Sequence, residues 1–305
     1  MADSPNFSGV ALVDPSVGTQ RNIAAFASPT SEGVPFGAFD GAWAVYTETL
    51  SQTDFGAWSL TAWDAQTGGL LTLASSAGTP AGAAAPTLLP DPVVRGAQAS
   101  WTESDSNGES SVHVYDLTSQ QDQVVYRGFA SQPVFWGGNL LFTVASGNTR
   151  QLNHFVAVSA ATGRRVALPQ PLVEARGITY FGATPSAVIW SGANYRTVSL
   201  WEVGQARASQ VTTIPLLDGE AEFYAESGGM FAWMSGQAGP FIVDPATHSY
   251  TQFPLALGYV AGSGTALLVS YGVAGASGKQ SGLYPQAVNS ILDLGRLAPL
   301  PSCSG

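Results

Sequence analysis

Apolar residues in this chain fall in short runs broken by turn residues, and no segment sustains a 3.6-residue apolar period for three turns. Runs rich in Val, Leu, Trp, Tyr and Thr between Gly, Pro, Asn and Asp predict β-strands. Seven runs end on a small or acidic anchor followed by a polar turn. They are Val10-Ala11-Leu12-Val13-Asp14, Leu60-Thr61-Ala62-Trp63-Asp64, Val112-His113-Val114-Tyr115-Asp116 and Phe155-Val156-Ala157-Val158-Ser159. Val198-Ser199-Leu200-Trp201-Glu202, Phe241-Ile242-Val243-Asp244 and Ile291-Leu292-Asp293 complete the set. Successive anchors are 50, 52, 43, 43, 42 and 49 residues apart, a period that belongs to propellers and other repeat arrays.

A second apolar signal precedes each later run: 41–46, 97–101, 139–144, 186–190, 229–233 and 265–269, each led by a shorter strand and a turn such as Trp136-Gly137-Gly138. Four strands per unit, with aromatics at fixed phases, predict an all-β fold, a single β-propeller of four-stranded antiparallel blades. One such sheet cannot cover both of its faces, so it stacks on its neighbours. The blades are expected at about 36–73, 93–127, 133–168, 177–214, 221–254 and 258–300, so 1–305 reads as one six-bladed domain. Seven outer hairpins against six inner pairs keep a seven-bladed ring as the alternative. Residues 9–24 are expected to close the ring against the last inner pair, with 288–300 as an added or substituting strand. The Ala-rich stretch 74–92 reads as a connection between the first two blades.

The segment Trp101-Thr102-Glu103-Ser104-Asp105-Ser106-Asn107-Gly108, running into Val112-His113-Val114-Tyr115-Asp116-Leu117-Thr118, resembles a blade of the TolB-like or WD-repeat-like propellers. The likeness is one of pattern over nearly the whole chain and close only around 93–128, and the Trp-Ser-Pro-Asp-Gly signature is absent. It implies a propeller scaffold and an extracytoplasmic location, and says little about ligand.

Charge narrows the partners. With 21 acidic and 11 basic side chains, one of them the single lysine Lys279, the net charge is −10, and no basic face exists to meet a phosphate backbone. Nucleic acid is therefore excluded as an expected partner, leaving a protein or a carbohydrate. No apolar run approaches the length of a membrane span, and Met-Ala-Asp-Ser-Pro at the start lacks the basic and apolar regions of a secretory signal. Cys303 is the only cysteine, so neither an internal disulfide nor a thiolate cluster is expected.

Candidate chemistry is sparse. Gly275-Ala276-Ser277-Gly278-Lys279-Gln280 lacks both the earlier glycine and the hydroxyl of a phosphate loop. His113, His154 and His248 fall in three different repeats, at phases that point to the periphery. Asp105 and Asn107 could offer oxygens to calcium, but Asp-Ser-Asn-Gly is also what a tight hairpin turn takes, so no cofactor is expected. The remaining charges sit where inner strands start: Arg95, Arg176, Glu220 and Glu222, with Tyr259 beside them. In a six-bladed ring Arg95 would face Glu220 and Glu222 across the axis, and these five residues form the expected ligand-binding mouth. The long connections 47–58 and 271–287 would raise a lip on the same face.

The expected function is a non-catalytic extracytoplasmic binding or protein-interaction module using one propeller face. Two alternatives stand beside it: a glycan-active hydrolase or lyase with carboxylates in the central pocket, and a structural subunit of a surface assembly. Propellers host unrelated functions, so fold alone does not choose among them.

Overall fold

The computed structural model describes residues 9–14, 17, 19–26, 32–50, 56–76, 89–104, 109–145, 152–193, 197–211, 221–235, 239–252, 258–263, 266–272 and 287–296. They form two compact units, 1–168 and 169–305.

In the first unit a hairpin of β1 (Gly9–Asp14) and β2 (Thr19–Ala25) precedes three antiparallel four-stranded sheets. The first sheet is β3 (Gly33–Phe39), β4 (Trp43–Thr49), β5 (Trp58–Asp64) and β6 (Leu70–Ser75). The second is β7 (Val93–Arg95), β8 (Gln98–Ser104), β9 (Ser110–Asp116) and β10 (Gln121–Gly128). The third is β11 (Val134–Trp136), β12 (Asn139–Ala145), β13 (Leu152–Ser159) and β14 (Arg165–Val166). Each runs in chain order, and the first strands β3, β7 and β11 neighbour one another.

The second unit opens with a one-turn helix α1 (Gln170–Glu174) and repeats the plan. Its sheets are β15 (Phe181–Ala183), β16 (Ala187–Ser191), β17 (Val198–Glu202) and β18 (Ser209–Val211), then β19 (Ala221–Ser227), β20 (Met230–Ser235), β21 (Gly239–Asp244) and β22 (Ser249–Gln252). A three-stranded sheet follows: β23 (Gly258–Ser263), β24 (Ala266–Gly272) and β25 (Ala287–Asp293). The first strands β15, β19 and β23 are again neighbours. The fold is an all-β propeller of four-stranded antiparallel blades.

Two expectations need correcting. Five sheets are four-stranded among the described residues, so neither the six-bladed nor the seven-bladed count holds. The expected pairing of 9–24 is not seen among the described residues, where β24 is flanked by β23 and, along Ala266–Gly272, by β25, the strand that 288–300 was expected to add or substitute. Within the described residues β1 and β2 pair only with each other, and Arg21 ties them to the first sheet. Its guanidinium lies 4.6 Å over the Trp63 ring and donates to Ala65 O at 3.0 Å.

The core sits between sheets. One face of the second sheet gives Trp101, Tyr115 and Ala99 to Val45, Trp58 and Leu60 of the first, and the other gives Val112 and Val114 to Phe135, Leu140 and Phe142 of the third. Strands buried on both faces read as continuous apolar runs, hence the lack of clean alternation in the middle strands. In the second unit, Ile189 and Leu200 meet Phe231, Trp233 and Phe241. Each such side chain contributes about 2 kcal/mol of transfer free energy, an upper figure given the compactness of unfolded chains.

The acidic anchors are turn-formers. Asp64 accepts from the Gln66 and Thr67 amides and the Thr67 hydroxyl, Asp116 from the Thr118 and Ser119 amides, and Asp244 from the Ala246 amide and the Thr247 hydroxyl. Four residues past the anchor the backbone is left-handed in four sheets, at Gly68 (φ 76°), Gln120 (φ 56°), Gly163 (φ 66°) and His248 (φ 52°). The sequence period is the spacing of these turns.

Candidate functional site

The start of an inner strand is set by its last proline. Pro90 and Pro92 hold segment 89–92 extended and withhold two amides from any ladder, so β7 begins only at Val93. The segment is held from both sides. Thr47 donates its hydroxyl to Pro90 O at 2.6 Å from the first sheet, and Gln132 donates to Leu89 O at 2.7 Å from the start of the third. Gln132 also brackets Thr102, accepting from its amide and donating to its carbonyl.

Between these anchored carbonyls sits Asp91, half-buried, with no hydrogen bond or ion pair to its carboxyl among the described residues. Burial pushes it up to about 6. Two more carboxyls share this end of the first sheet. Glu32 immediately precedes β3 and is buried, and Glu48 lies at the end of β4 that pairs with the β3 start. Burial and then the Glu32 charge raise Glu48 above the usual carboxylate range, and burial with the Glu48 charge raises Tyr46 to about 12.

Four of the predicted mouth residues are among the described ones. Arg95 does not start its strand: β7 begins at Val93 as expected but has only three residues, and Arg95 is the last of them. Its guanidinium donates to Gly137 O at 2.6 Å and lies 5.2 Å over the Phe135 ring, joining the second sheet to the third. Arg176 is exposed behind α1 and donates to Val173 O and Ala175 O, the free carbonyls at that helix end. Glu222 is the second residue of β19, paired with Met234, and Tyr259 the second of β23, paired with Ser270; β19 and β23 are neighbours. These strand ends bring Glu222 and Tyr259 into one region of the second unit, whereas Arg95 belongs to the first. Glu220, Asp105 and Asn107 lie outside the described residues, as does most of the expected lip (51–55 and 273–286).

One constellation escaped the sequence reading. His113 on β9 is buried, and its Nδ1 sits 2.9 and 3.1 Å from the two Asp122 oxygens on β10. Its Nε2 lies 3.5 Å from Glu103 Oε1 on β8, and its ring stacks on Trp101 with centroids 5.0 Å apart and planes 6° apart. Burial pulls the imidazole down, but Asp122 and Glu103 outweigh it and push His113 up to about 9. The imidazolium in turn holds Glu103 below its usual range against the burial that raises it. The signal was available only through register: Trp101 opposes His113 and Tyr115 opposes Asp122, which puts all these residues on one face.

No protein-family model matches the chain, and neither does any curated protein sequence. Among solved structures it is similar to a prolyl endopeptidase, with 11% identity and a TM-score of 0.55 over 91% of this chain and 42% of that one. It is also similar to the β-propeller domain of the Trilobed protease from Pyrococcus furiosus (7% identity, TM-score 0.48, 79% and 89% covered). A third is TolB from Acinetobacter baumannii (17% identity, TM-score 0.46, 70% and 57% covered). The chain thus spans about two fifths of the prolyl endopeptidase and just over half of that TolB chain. At these identities the likeness concerns the fold.

Proposed function

We propose that this protein is a non-catalytic binding module, working outside the cytoplasm, that receives a protein segment bearing Lys or Arg at the leading ends of its inner strands. The observation that carries the reading is Asp91. A desolvated carboxyl without a partner opposes folding, and such groups persist at sites that use them. Glu48, raised by burial beside Glu32, lies at the same end of the first sheet but on the face opposite Thr47, and a net charge of −10 draws a basic partner toward the chain. A cation placed there would supply the missing counter-charge. In the second unit the reading extends to Glu220, Glu222 and Tyr259, while Arg176 there and Arg95 in the first unit would meet an acidic residue rather than the Lys or Arg. The whole of 1–305 is taken as one domain.

The test is fluorescence polarisation against matched basic, neutral and acidic peptides, with a panel of oligosaccharides assayed for binding and cleavage. Saturable binding of the basic peptide, weakened by salt and lowered about tenfold by Asp91→Asn, supports the reading. Tyr259→Ala should weaken binding without unfolding the protein. Equal binding of all peptides, or none, contradicts it, and oligosaccharide cleavage lost in Glu222→Gln would replace it with the glycan-active alternative.

A further inference from the structure

Three strands of the second sheet meet at one buried ring, and the number of protons on that ring decides what the meeting does. A neutral imidazole carries one N–H and one lone pair, so it can serve one carboxylate and must present the lone pair to the other. Here both ring nitrogens face carboxylates: Nδ1 toward Asp122 on β10, Nε2 toward Glu103 on β8. Nε2 makes no hydrogen bond at 3.5 Å, so its contact with Glu103 is favourable only as the ion pair that the imidazolium provides.

The surroundings favour the cation further. Trp101, itself buried, lies flat against the ring, and an aromatic face attracts a positive charge. Tyr115, on the same face of β9, is raised by burial and by the Asp122 charge. The one described positive side chain near this face is Arg127 of β10, exposed and donating to Ser111 Oγ. The residues of the first sheet packed against Trp101 and Tyr115, including Val45, Trp58, Leu60 and Leu73, carry no charge. Neither carboxylate is sealed off, with side-chain exposures of 34% for Glu103 and 40% for Asp122, while the ring between them is buried.

We propose that His113 is a proton-dependent latch: as an imidazolium it clamps β8, β9 and β10 of the second blade together, and on losing that proton it releases the Glu103 side. The Asp122 side survives, because a neutral ring keeps its Nδ1–H. The Glu103 side does not, because the Nε2 lone pair then faces a carboxylate. The latch is closed at neutral pH and opens on the alkaline side, where His113 titrates at about 9. It makes no use of the acidic surface around Asp91 and stands or falls without it.

The experiment is a proton-NMR titration of the His113 ring in the full chain, assigned among three histidines with His113→Gln. Tryptophan emission is followed in parallel, because an imidazolium stacked on Trp101 quenches it. The expected result is a midpoint near 9 by both probes, with the emission step absent in Trp101→Phe. Glu103→Gln and Asp122→Asn should each lower the midpoint by about one unit or more. A merely structural role for the pair would not move that midpoint. A wild-type midpoint near the free-histidine value, about 6.5, would overturn the proposal, as would a midpoint unmoved by both variants. Should Asp122→Asn fail to fold, Glu103→Gln alone decides, because it touches only the side that opens.

Discussion

Three aspartates mark two regions of this molecule with opposite character. Asp64 and Asp116 sit in the outer turns, where backbone amides and nearby hydroxyls hold their carboxyls below the usual range. Asp91 sits at the leading end of an inner strand, where burial without a partner raises its carboxyl to about 6. The turns after Asp64, Asp116 and Asp244 share one solution to one problem, satisfying amides that no strand reaches. The strand ends differ from sheet to sheet, with Glu32, Asp91 and Gln132 at successive starts. Side chains in the repeated region stabilise, whereas burial of the Asp91 carboxylate in the variable one opposes folding.

The inner strands should be the more demanding region, and the largest effect is expected there. A Cβ on Gly262 of β23 would lie 2.1 Å from Glu226 O, a backbone atom of β19 that cannot step aside. Gly262→Ala should therefore cost more than about 3 kcal/mol in chemical denaturation. A loss below about 1 kcal/mol would mean the two strands can part cheaply.

The next effect tests the latch through stability. His113 is raised in the folded state, so its contribution is complete below about 6.5 and is lost as pH rises through about 9. Glu103 is lowered, so its contribution holds above its unfolded value and is lost as pH falls through the folded one. His113→Gln should remove about 2 kcal/mol near pH 6, after allowance for the part-exposed carboxylates, and should flatten the alkaline fall.

Asp91 should behave in the reverse sense. Its folded value is above the unfolded one, so stability declines as pH rises between about 4 and 6, and the charged carboxylate disfavours folding at pH 8. Asp91→Asn is expected to stabilise by about 1 kcal/mol at pH 8, with the difference vanishing below pH 4. A destabilised variant would show that Asp91 has a partner in the fold. The smallest change belongs to the outer turns. Gln120 holds the left-handed conformation that Gly68 and Gly163 hold in their own sheets, so Gln120→Gly should gain about 0.5 kcal/mol.

The sheets were legible from sequence because each depends on a turn that needs particular residues. Asp64, Asp116 and Asp244 repeat because an unsatisfied turn amide is costly, and that requirement is local. The pairing of the chain ends was legible only in part: 288–300 was expected as an added or substituting strand, and β25 takes that place beside β24, but Asp14 and Asp293 have the same signature, which does not say which end does so. β7 starts at Val93, where the sequence placed it, but it is only three residues long, so Arg95 closes the strand instead of opening it. The His113 cluster needed register across three strands, which spacing along one chain does not supply. Asp91 passed unnoticed because the segment around it reads as a linker until its carbonyls are seen to be held.

The most direct test is a carbon-detected NMR titration of the aspartate side-chain carboxyls in the intact chain. The account predicts that Asp91 titrates near 6 while Asp64 and Asp116 titrate below the ordinary aspartate range. If Asp91 titrates together with the two turn aspartates, the difference between strand ends and turns does not exist, and the binding surface assigned to it has no physical basis.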